Sequence, residues 1–269
     1  MNLQEALKYG LSNIKLDNPQ KLSYILISSL TNKSRIELML DENITIPTHT
    51  YKEYISRLNN DEPIEYITNK VSFYSNEFFI AQGALIPRPE TEILIDITCK
   101  LTKDLKSFNL AEIGVGSGII SIMLNRLCKN IHSTTASDIS NQALKIASKN
   151  ISNFELQDKI TLVNTNLLDN INQDFDVIVS NPPYIANDYT VENNLSYEPQ
   201  NALFGGVQGD EILIQIIDLF LSSKAKYLIC EMGYDQKEPI KEYLKNNDNI
   251  KLSFYKDLSG FDRGFYIEK

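Results

Sequence analysis

The sequence predicts an α/β protein with a small N-terminal helical bundle and a larger domain built on a seven-stranded, mostly parallel sheet whose last strand is antiparallel. Three observations lead to this prediction. Apolar residues recur at helical intervals up to about Leu58, and after Pro89 short apolar runs alternate with helical stretches. The last two apolar runs are too close together for a crossover helix to connect them.

The N-terminal residues are typical of three or four short helices. Polar breaks at Asp17–Pro19 and Thr31–Ser34 mark where helices are expected to end and begin. The helical spacing is carried by Leu3, Ala6, Leu7 and Leu11, and then by Leu22, Ile25, Leu26 and Leu30. We therefore expect residues 1–70 to form a helical domain that binds substrate and does not itself carry out chemistry.

Residues 71–86 have the composition of a β-hairpin connector. They are rich in aromatic and β-branched side chains, namely Phe73, Tyr74, Phe78, Phe79 and Ile80. The domain boundary is expected here, and residues 87–269 are expected to form the α/β domain.

The α/β domain contains seven predicted strands. They are Leu110–Ile113, His132–Ser137, Ile160–Val163, Val177–Ser180, Tyr227–Glu231, Ile250–Tyr255 and Phe265–Ile267. Helices are predicted to end near Leu127 and Asn150 and to begin at Asp210. This alternation predicts a parallel sheet covered by helices on both faces. Only Lys256–Gly264 separates the last two strands, which should therefore pair antiparallel.

The charge of the chain disfavours one class of partner. The formal net charge is −9, of which residues 1–80 carry −2 and the remainder −7. An acidic surface repels phosphate backbones, so a basic protein is a more natural partner than a nucleic acid. The alternative is that the charge only keeps the protein in solution.

Neither a metal site nor a membrane segment is predicted. The cysteines, Cys99, Cys128 and Cys230, lie in apolar stretches without metal-ligand spacing, and the two histidines are far from other ligand types. No apolar run approaches the roughly 20 residues that a membrane span requires, and the first residues do not resemble a signal peptide. A cytoplasmic location is expected.

A glycine-rich loop follows the first predicted strand of the α/β domain. Residues 112–118 read Glu-Ile-Gly-Val-Gly-Ser-Gly and open a helix, at the turn where doubly wound sheets bind nucleotides. Ile119 stands where a dinucleotide fingerprint requires glycine or alanine, so the loop fits the NAD pattern poorly. The predicted cofactor-binding residues of the loop are Glu112, Gly114, Val115, Gly116, Ser117 and Gly118.

Acidic and polar residues after the neighbouring strands extend this site. Asp138 ends the next strand, where a carboxylate accepts hydrogen bonds from both ribose hydroxyls of an adenosine; the alternative is a helix N-cap, a role that Ser140 serves equally well. Glu112 either accepts from loop amides, binds a cationic end of the cofactor or faces solvent. Asn166 and Leu167 are placed to hold the adenine edge and face, unless they belong to an ordinary loop.

The tetrapeptide Asn181-Pro182-Pro183-Tyr184 directly follows the strand Val177–Ser180, beside the glycine loop. The prolines lack N–H groups, so backbone carbonyls and the Asn181 oxygen are left to accept hydrogen bonds from an –NH2 group. Tyr184 is expected to lie against the flat face of that group. An amide nitrogen is a poor nucleophile, and positioning can supply roughly 7–11 kcal/mol of a barrier. The alternative is a rigid turn that leaves a strand.

Motifs along nearly the whole chain resemble those of the HemK-type glutamine N5-methyltransferases, which modify class I peptide chain release factors. The most specific are Glu62–Ile67, Leu85–Glu92 and Asn181–Ile185. Further matches, in the family's order, are Glu198-Pro199, Ala202-Leu203, Gly205-Gly206, Glu231-Met232-Gly233, Gln236, Asp257-Leu258 and Asp262-Arg263.

This resemblance implies a Rossmann-like S-adenosylmethionine-dependent methyltransferase domain, with S-adenosylhomocysteine as the product. Asn181, Pro182, Pro183 and Tyr184 would then be the catalytic residues, and Asn181 would also contact the cofactor. The implied substrate is the glutamine of the Gly-Gly-Gln loop of a release factor, held in part by the helical domain. The expected protein is a monomer that binds neither nucleic acid nor membrane directly.

The chain departs from the family at two positions and leaves rival functions open. Glu112 and Asn166 stand where aspartate is usual or common, which affects the expected geometry at the two ends of the cofactor. Arg88 and Glu90 are either structural or close to the pocket. The rivals are a glutamine methyltransferase for a ribosomal protein, an adenine-N6 methyltransferase acting on nucleic acid, and a non-catalytic scaffold.

Overall fold

The computed structural model describes residues 1–41, 43–191 and 193–269, which form two compact units. The first unit is Met1–Lys70 with a short segment that ends at Tyr197, and the second is Val71–Val191 with Glu198–Lys269. Within the described ranges, no helix is both long and apolar enough to cross a bilayer.

The first unit is helical. Its helices are α1 (Leu3–Asn13), α2 (Pro19–Thr31), α3 (Arg35–Leu40), α4 (Thr48–Leu58) and α5 (Ile64–Thr68), and Asn193–Tyr197 adds one 3₁₀ turn. Capping boxes start α1 and α3, where Asn2 and Ser34 pair with Glu5 and Glu37. The described part has one helix more than predicted, because α5 has five residues and is too short to show a periodic apolar pattern.

The second unit begins with a two-stranded sheet formed by β1 (Lys70–Phe73) and β2 (Asn76–Phe79). The remaining elements follow in chain order. They are α6 (Thr91–Thr102), β3 (Phe108–Ile113), α7 (Ile119–Leu127), β4 (Ile131–Asp138), α8 (Asn141–Asn153), β5 (Ile160–Asn164), β6 (Val177–Ser180), β7 (Ile185–Ala186), α9 (Gln200–Leu203), β8 (Phe204–Gly206), α10 (Glu211–Ser222), β9 (Tyr227–Glu231), α11 (Lys237–Leu244), β10 (Lys251–Lys256) and β11 (Asp262–Glu268).

The central sheet has seven strands in the order β10-β11-β9-β6-β3-β4-β5. Strand β11 runs antiparallel to both of its neighbours, and the strands from β9 to β5 are parallel, which confirms the predicted fold class. The chain proceeds outward from β3 to β5 on one side and then returns to β6 on the other. The resulting crevice between β3 and β6 is where doubly wound sheets bind ligands.

The core of the second unit explains why the central strands are apolar on both faces. All residues of β6 and β9 are buried, and helix α10 packs against them through Leu213, Ile216, Ile217 and Phe220. Helix α11 is not predicted by the sequence pattern, because only Ile240 and Leu244 are buried on it and Pro239 interrupts the sequence signal. Pro239 lies in the first helical turn, where its missing N–H costs nothing.

Candidate active site

A pocket lies at the carboxyl ends of β3, β4 and β6. Ile113 pairs in register with Ser137 on one side and Ser180 on the other, so the three following loops begin at the same edge of the sheet. Most of the predicted site residues line this pocket: Glu112, Gly114, Val115, Gly116, Ser117, Asp138, Asn166, Leu167, Asn181, Pro182 and Pro183. Gly118 and Tyr184 are not among its lining residues.

The glycine loop is anchored to the end of β4 and is open towards the pocket. The amides of Gly114 and Val115 both donate to the carbonyl of Ser137 at 2.9 Å. Gly114 and Gly116 have φ of 75° and 53°, and a Cβ atom added to either would meet no atom within 4 Å. Gly118 differs, because its Cβ would come within 3.3 Å of Ala147 in α8. Gly114 and Gly116 thus leave room for a ligand, whereas Gly118 allows two helices to approach.

Asp138 holds the loop in place with one bond on each carboxylate oxygen. Oδ2 accepts from the Gly116 amide at 2.9 Å, and Oδ1 accepts from the Ser140 amide at 2.8 Å. Ser140 is the N-cap of α8, with its hydroxyl accepting from the Ala143 amide at 3.2 Å, so Asp138 is not the cap. Burial raises the pKa of Asp138. Each oxygen keeps a free lone pair, and together they can accept from two ribose hydroxyls.

Glu112 is fully buried, and among the described residues only one of its two carboxylate oxygens has hydrogen-bond partners. Its Oε2 accepts from the backbone amide of Ser121 at 2.9 Å and from the Ser121 hydroxyl. Its Oε1 is buried without a hydrogen-bond partner among the described residues. Burial raises the pKa of Glu112 to about 8. The interpretation of Glu112 as a solvent-facing strand end is therefore wrong, and the unpaired oxygen is suited to a cationic group.

The Asn-Pro-Pro-Tyr segment is held from both sides. The Ser180 hydroxyl donates to the Ile113 carbonyl at 2.8 Å and fixes the end of β6. The Asn181 side-chain NH2 donates to the Thr91 hydroxyl at 3.2 Å, which in turn donates to Glu231 Oε2 at 2.7 Å. The Asn181 Oδ1 atom is thus the part of that amide left to accept from a substrate.

The hydroxyl and the carbonyl of Tyr184 are both hydrogen-bonded within the protein. Its hydroxyl donates to Glu231 Oε1 at 3.3 Å, and burial raises its pKa above the usual value. Its carbonyl accepts from the side-chain amide of Gln236 at 3.1 Å, and the same Gln236 amide reaches the Gly209 carbonyl at 3.0 Å. The predicted stacking of the Tyr184 ring on a substrate stays a prediction, whereas its hydroxyl has a partner inside the protein.

The structure adds Thr91 and Glu231 to the site, and the sequence predicted no role for either residue. Both side chains are 1% exposed, and they are 140 residues apart in the chain. Glu231 ends β9 next to β6, and Thr91 is the first residue of α6. The only sequence signal for either residue was its place in a motif of the family.

Arg88 lines the pocket and is also part of its framework. Its guanidinium donates to Glu198 Oε1 at 2.5 Å and to the Ile86 carbonyl at 2.6 Å. The other oxygen of Glu198 accepts from the Ile86 amide at 2.9 Å, and the Glu198 side chain is 2% exposed. Of the two alternatives for Arg88, a structural role and a position near the pocket, both are therefore correct.

Glu198→Ala should destabilise the protein by about 3–5 kcal/mol, because it leaves the Arg88 guanidinium and the Ile86 amide without their buried acceptor. Chemical denaturation followed by circular dichroism measures this change. The matched control is Asp174→Ala, which breaks the exposed Lys224–Asp174 pair of 2.7 Å and should cost less than about 1 kcal/mol. Equal effects of the two substitutions would contradict the structural role of Glu198.

Comparison with solved structures and family models defines the class of the protein. The fold is similar to the catalytic domain of hMettl16 in complex with a MAT2A 3′UTR hairpin, with a TM-score of 0.59 and 18% identity over 71% of this chain and 74% of that one. Residues 90–203 match the family model described as methyltransferase small domain. The second unit is therefore a Rossmann-like methyltransferase domain.

Comparison with individual relatives identifies the family of the chain. The chain is 32% identical over 279 residues to the release factor glutamine methyltransferase of Buchnera aphidicola subsp. Schizaphis graminum, with all of both chains covered. The chain belongs to the release factor glutamine methyltransferase family. Residues 3–68 match the PrmC N-terminal domain. The chain is also 33% identical to the bifunctional methyltransferase of Rickettsia typhi, covering 94% of this chain but only 54% of that protein.

Proposed function

We propose that the protein transfers a methyl group from S-adenosylmethionine to the side-chain amide nitrogen of the glutamine in the Gly-Gly-Gln loop of class I peptide chain release factors. The observation that carries this proposal is the Asn181 side chain, whose NH2 is bound to Thr91 and whose Oδ1 is left to accept from a substrate –NH2 at the pocket. Family membership supports the choice of a release factor as substrate.

The residues of the pocket fit S-adenosylmethionine. The unpaired Oε1 of Glu112 is suited to the ammonium of a methionine group, and Asp138 retains lone pairs for ribose hydroxyls. Gly114 and Gly116 leave the loop open where a ligand would approach the backbone. Asn166 and Leu167 line the same pocket and are proposed to hold the adenine. When bound, the cofactor supplies a methyl group on a positively charged sulfur.

The protein's own contribution is positioning. Asn181 Oδ1 and one carbonyl of the proline pair accept the two N–H groups of the substrate amide, and Pro182 and Pro183 present no N–H that would compete. Alignment can supply roughly 7–11 kcal/mol, more than one general base usually gives, so it is the main means of acceleration. The nitrogen that accepts the methyl group loses one N–H proton, which is released to solvent. Ser180 and Gln236 hold the segment at both ends and keep this alignment rigid.

The acidic charge of the chain supports a protein substrate over a nucleic acid. The net charge of −9 opposes the approach of a phosphate backbone. We also propose that the helical unit, which matches the PrmC N-terminal domain, takes part in holding the release factor.

The test is methyl transfer from radiolabelled S-adenosylmethionine to a purified, unmethylated release factor. A factor with its Gly-Gly-Gln glutamine replaced, a ribosomal protein mixture and a duplex DNA with adenines serve as comparisons. Label that appears on the intact factor and disappears with the glutamine supports the proposal. Label on ribosomal protein or DNA alone overturns the substrate, and no label with any acceptor overturns the activity.

A further inference from the structure

A buried chain of hydrogen bonds lies behind the Asn181 amide. Glu231 Oε2 accepts from the Thr91 hydroxyl at 2.7 Å, and the Thr91 oxygen accepts from Asn181 Nδ2 at 3.2 Å. Glu231 and Thr91 are each 1% exposed, so water cannot substitute for either partner.

The chemistry of these groups allows the hydrogen bonds to run in one direction only, from Asn181 through Thr91 to Glu231. An ionised carboxylate is an acceptor only, so the single Thr91 hydroxyl proton is directed to Glu231. The Thr91 oxygen then has only lone pairs to offer Asn181, whose NH2 group must face it. If the Asn181 amide were rotated by 180°, two acceptors would compete for one hydroxyl proton, and a buried oxygen would be left unpaired.

We propose that Glu231 and Thr91 are positioning residues that fix the orientation of the Asn181 amide, so that Oδ1 faces the pocket and the site selects an acceptor nitrogen that carries N–H groups. The substrate class in this inference rests on the proposed function. The orientation itself is a property of the free protein and does not depend on the substrate.

Protonation of Glu231 should weaken the preference of the Asn181 amide for this orientation. Burial raises its pKa to about 7. A protonated carboxyl donates to Thr91, whose hydroxyl is then free to donate to Asn181 Oδ1, which turns the NH2 towards the pocket. The charged and titratable groups facing Glu231 are Glu90, which precedes α6, Tyr184 after β6, Tyr255 from β10 and Arg263 from β11. Arg263 is also bonded to Asp257 at 2.9 Å.

Thr91→Val tests the inference because it removes the hydroxyl and changes the shape little. With saturating cofactor, kcat for the release factor should fall by about 10- to 100-fold, while the Kd for S-adenosylhomocysteine, measured by calorimetry, should change by less than about twofold. Thr91→Ser, which restores the hydroxyl, should return kcat to within about threefold of the wild-type value. In an Asn181→Ala background, Thr91→Val should cause no further loss.

Thr98→Val is the matched control. Thr98 is also buried in α6, but its hydroxyl donates to the Leu94 carbonyl of its own helix at 2.8 Å. Thr98→Val should leave kcat unchanged. An equal loss of kcat in Thr98→Val and Thr91→Val, or full additivity of Thr91→Val with Asn181→Ala, would overturn the inference.

A spectroscopic measurement separates this inference from the proposed function. The side-chain NH2 signal of Asn181, assigned in ¹H–¹⁵N spectra by its loss in Asn181→Ala, should shift as pH crosses about 7 in the free protein. The shift should vanish in Glu231→Gln and Thr91→Val. A signal that shifts with pH equally in wild type, Glu231→Gln and Thr91→Val overturns the inference even if release factor is methylated. A titrating signal in a protein that does not methylate release factor overturns only the substrate.

Discussion

Asn181→Ala should lower methyl transfer to the release factor by at least about 100-fold and leave cofactor affinity nearly unchanged. The substitution removes Oδ1, the acceptor that orients the substrate nitrogen. The Asn181 side chain also bonds to the Thr91 hydroxyl at 3.2 Å, but that bond does not involve the glycine loop. Single-turnover rates with saturating cofactor, together with calorimetric Kd values for S-adenosylhomocysteine, measure the two quantities.

Asn153→Ala provides the comparison for this substitution. Asn153 is exposed at the end of α8, so the same change of side chain should alter neither the rate nor the affinity. If Asn181→Ala weakened cofactor binding as much as it slowed transfer, Asn181 would be a cofactor-binding residue only. A rate close to that of the wild type would remove Asn181 from the proposed mechanism.

Glu112→Gln should weaken cofactor binding by about 30-fold or more at pH 8, because it removes the buried negative charge proposed to pair with the cofactor's ammonium. The same substitution should stabilise the free protein, since the charge it removes has an unpaired oxygen in the free protein's structure. We expect the melting temperature of the free protein to rise by about 2–4 °C at pH 8.5, the shift that about 1 kcal/mol produces in a chain of this size.

The dependence on pH follows from the direction of the Glu112 pKa. Burial raises that pKa to about 8, above its value of about 4.3 in an unfolded chain, so folding takes up a proton between these limits. The contribution of this proton to the free energy of unfolding is fully present below about pH 4.3 and is lost as pH rises through about 8. The melting-temperature difference between wild type and Glu112→Gln should therefore grow from pH 6 to pH 9.

Binding of the cofactor at pH 7 should release the proton from Glu112, because an adjacent ammonium favours the carboxylate. Titration calorimetry in two buffers with different ionisation heats detects that proton, which Glu112→Gln should not release. Glu238→Gln makes the same change on the exposed face of α11 and should alter neither stability nor binding. Equal proton release in wild type and Glu112→Gln would show that Glu112 is not the group that ionises.

The larger elements of the fold could be predicted because each has its own local pattern. Strands β6 and β9 read as uninterrupted apolar runs, and their predicted bounds agree with the structure. The pairing of β10 with β11 followed from the short connection between them. Helices α5 and α11 were missed because each is short and buries only two residues. Periodicity needs more turns than these helices have.

The amino-acid sequence alone was sufficient to identify the fold class, the glycine loop and the Asn-Pro-Pro-Tyr segment, because these depend on residues close together in the chain. Only the tertiary structure shows that Glu112 is fully buried with one unpaired oxygen and that Ser140, not Asp138, caps α8. It also brings Thr91 and Glu231 together across 140 residues. Hydrogen-bond direction and burial depend on groups from several elements, and no stretch of sequence contains them all.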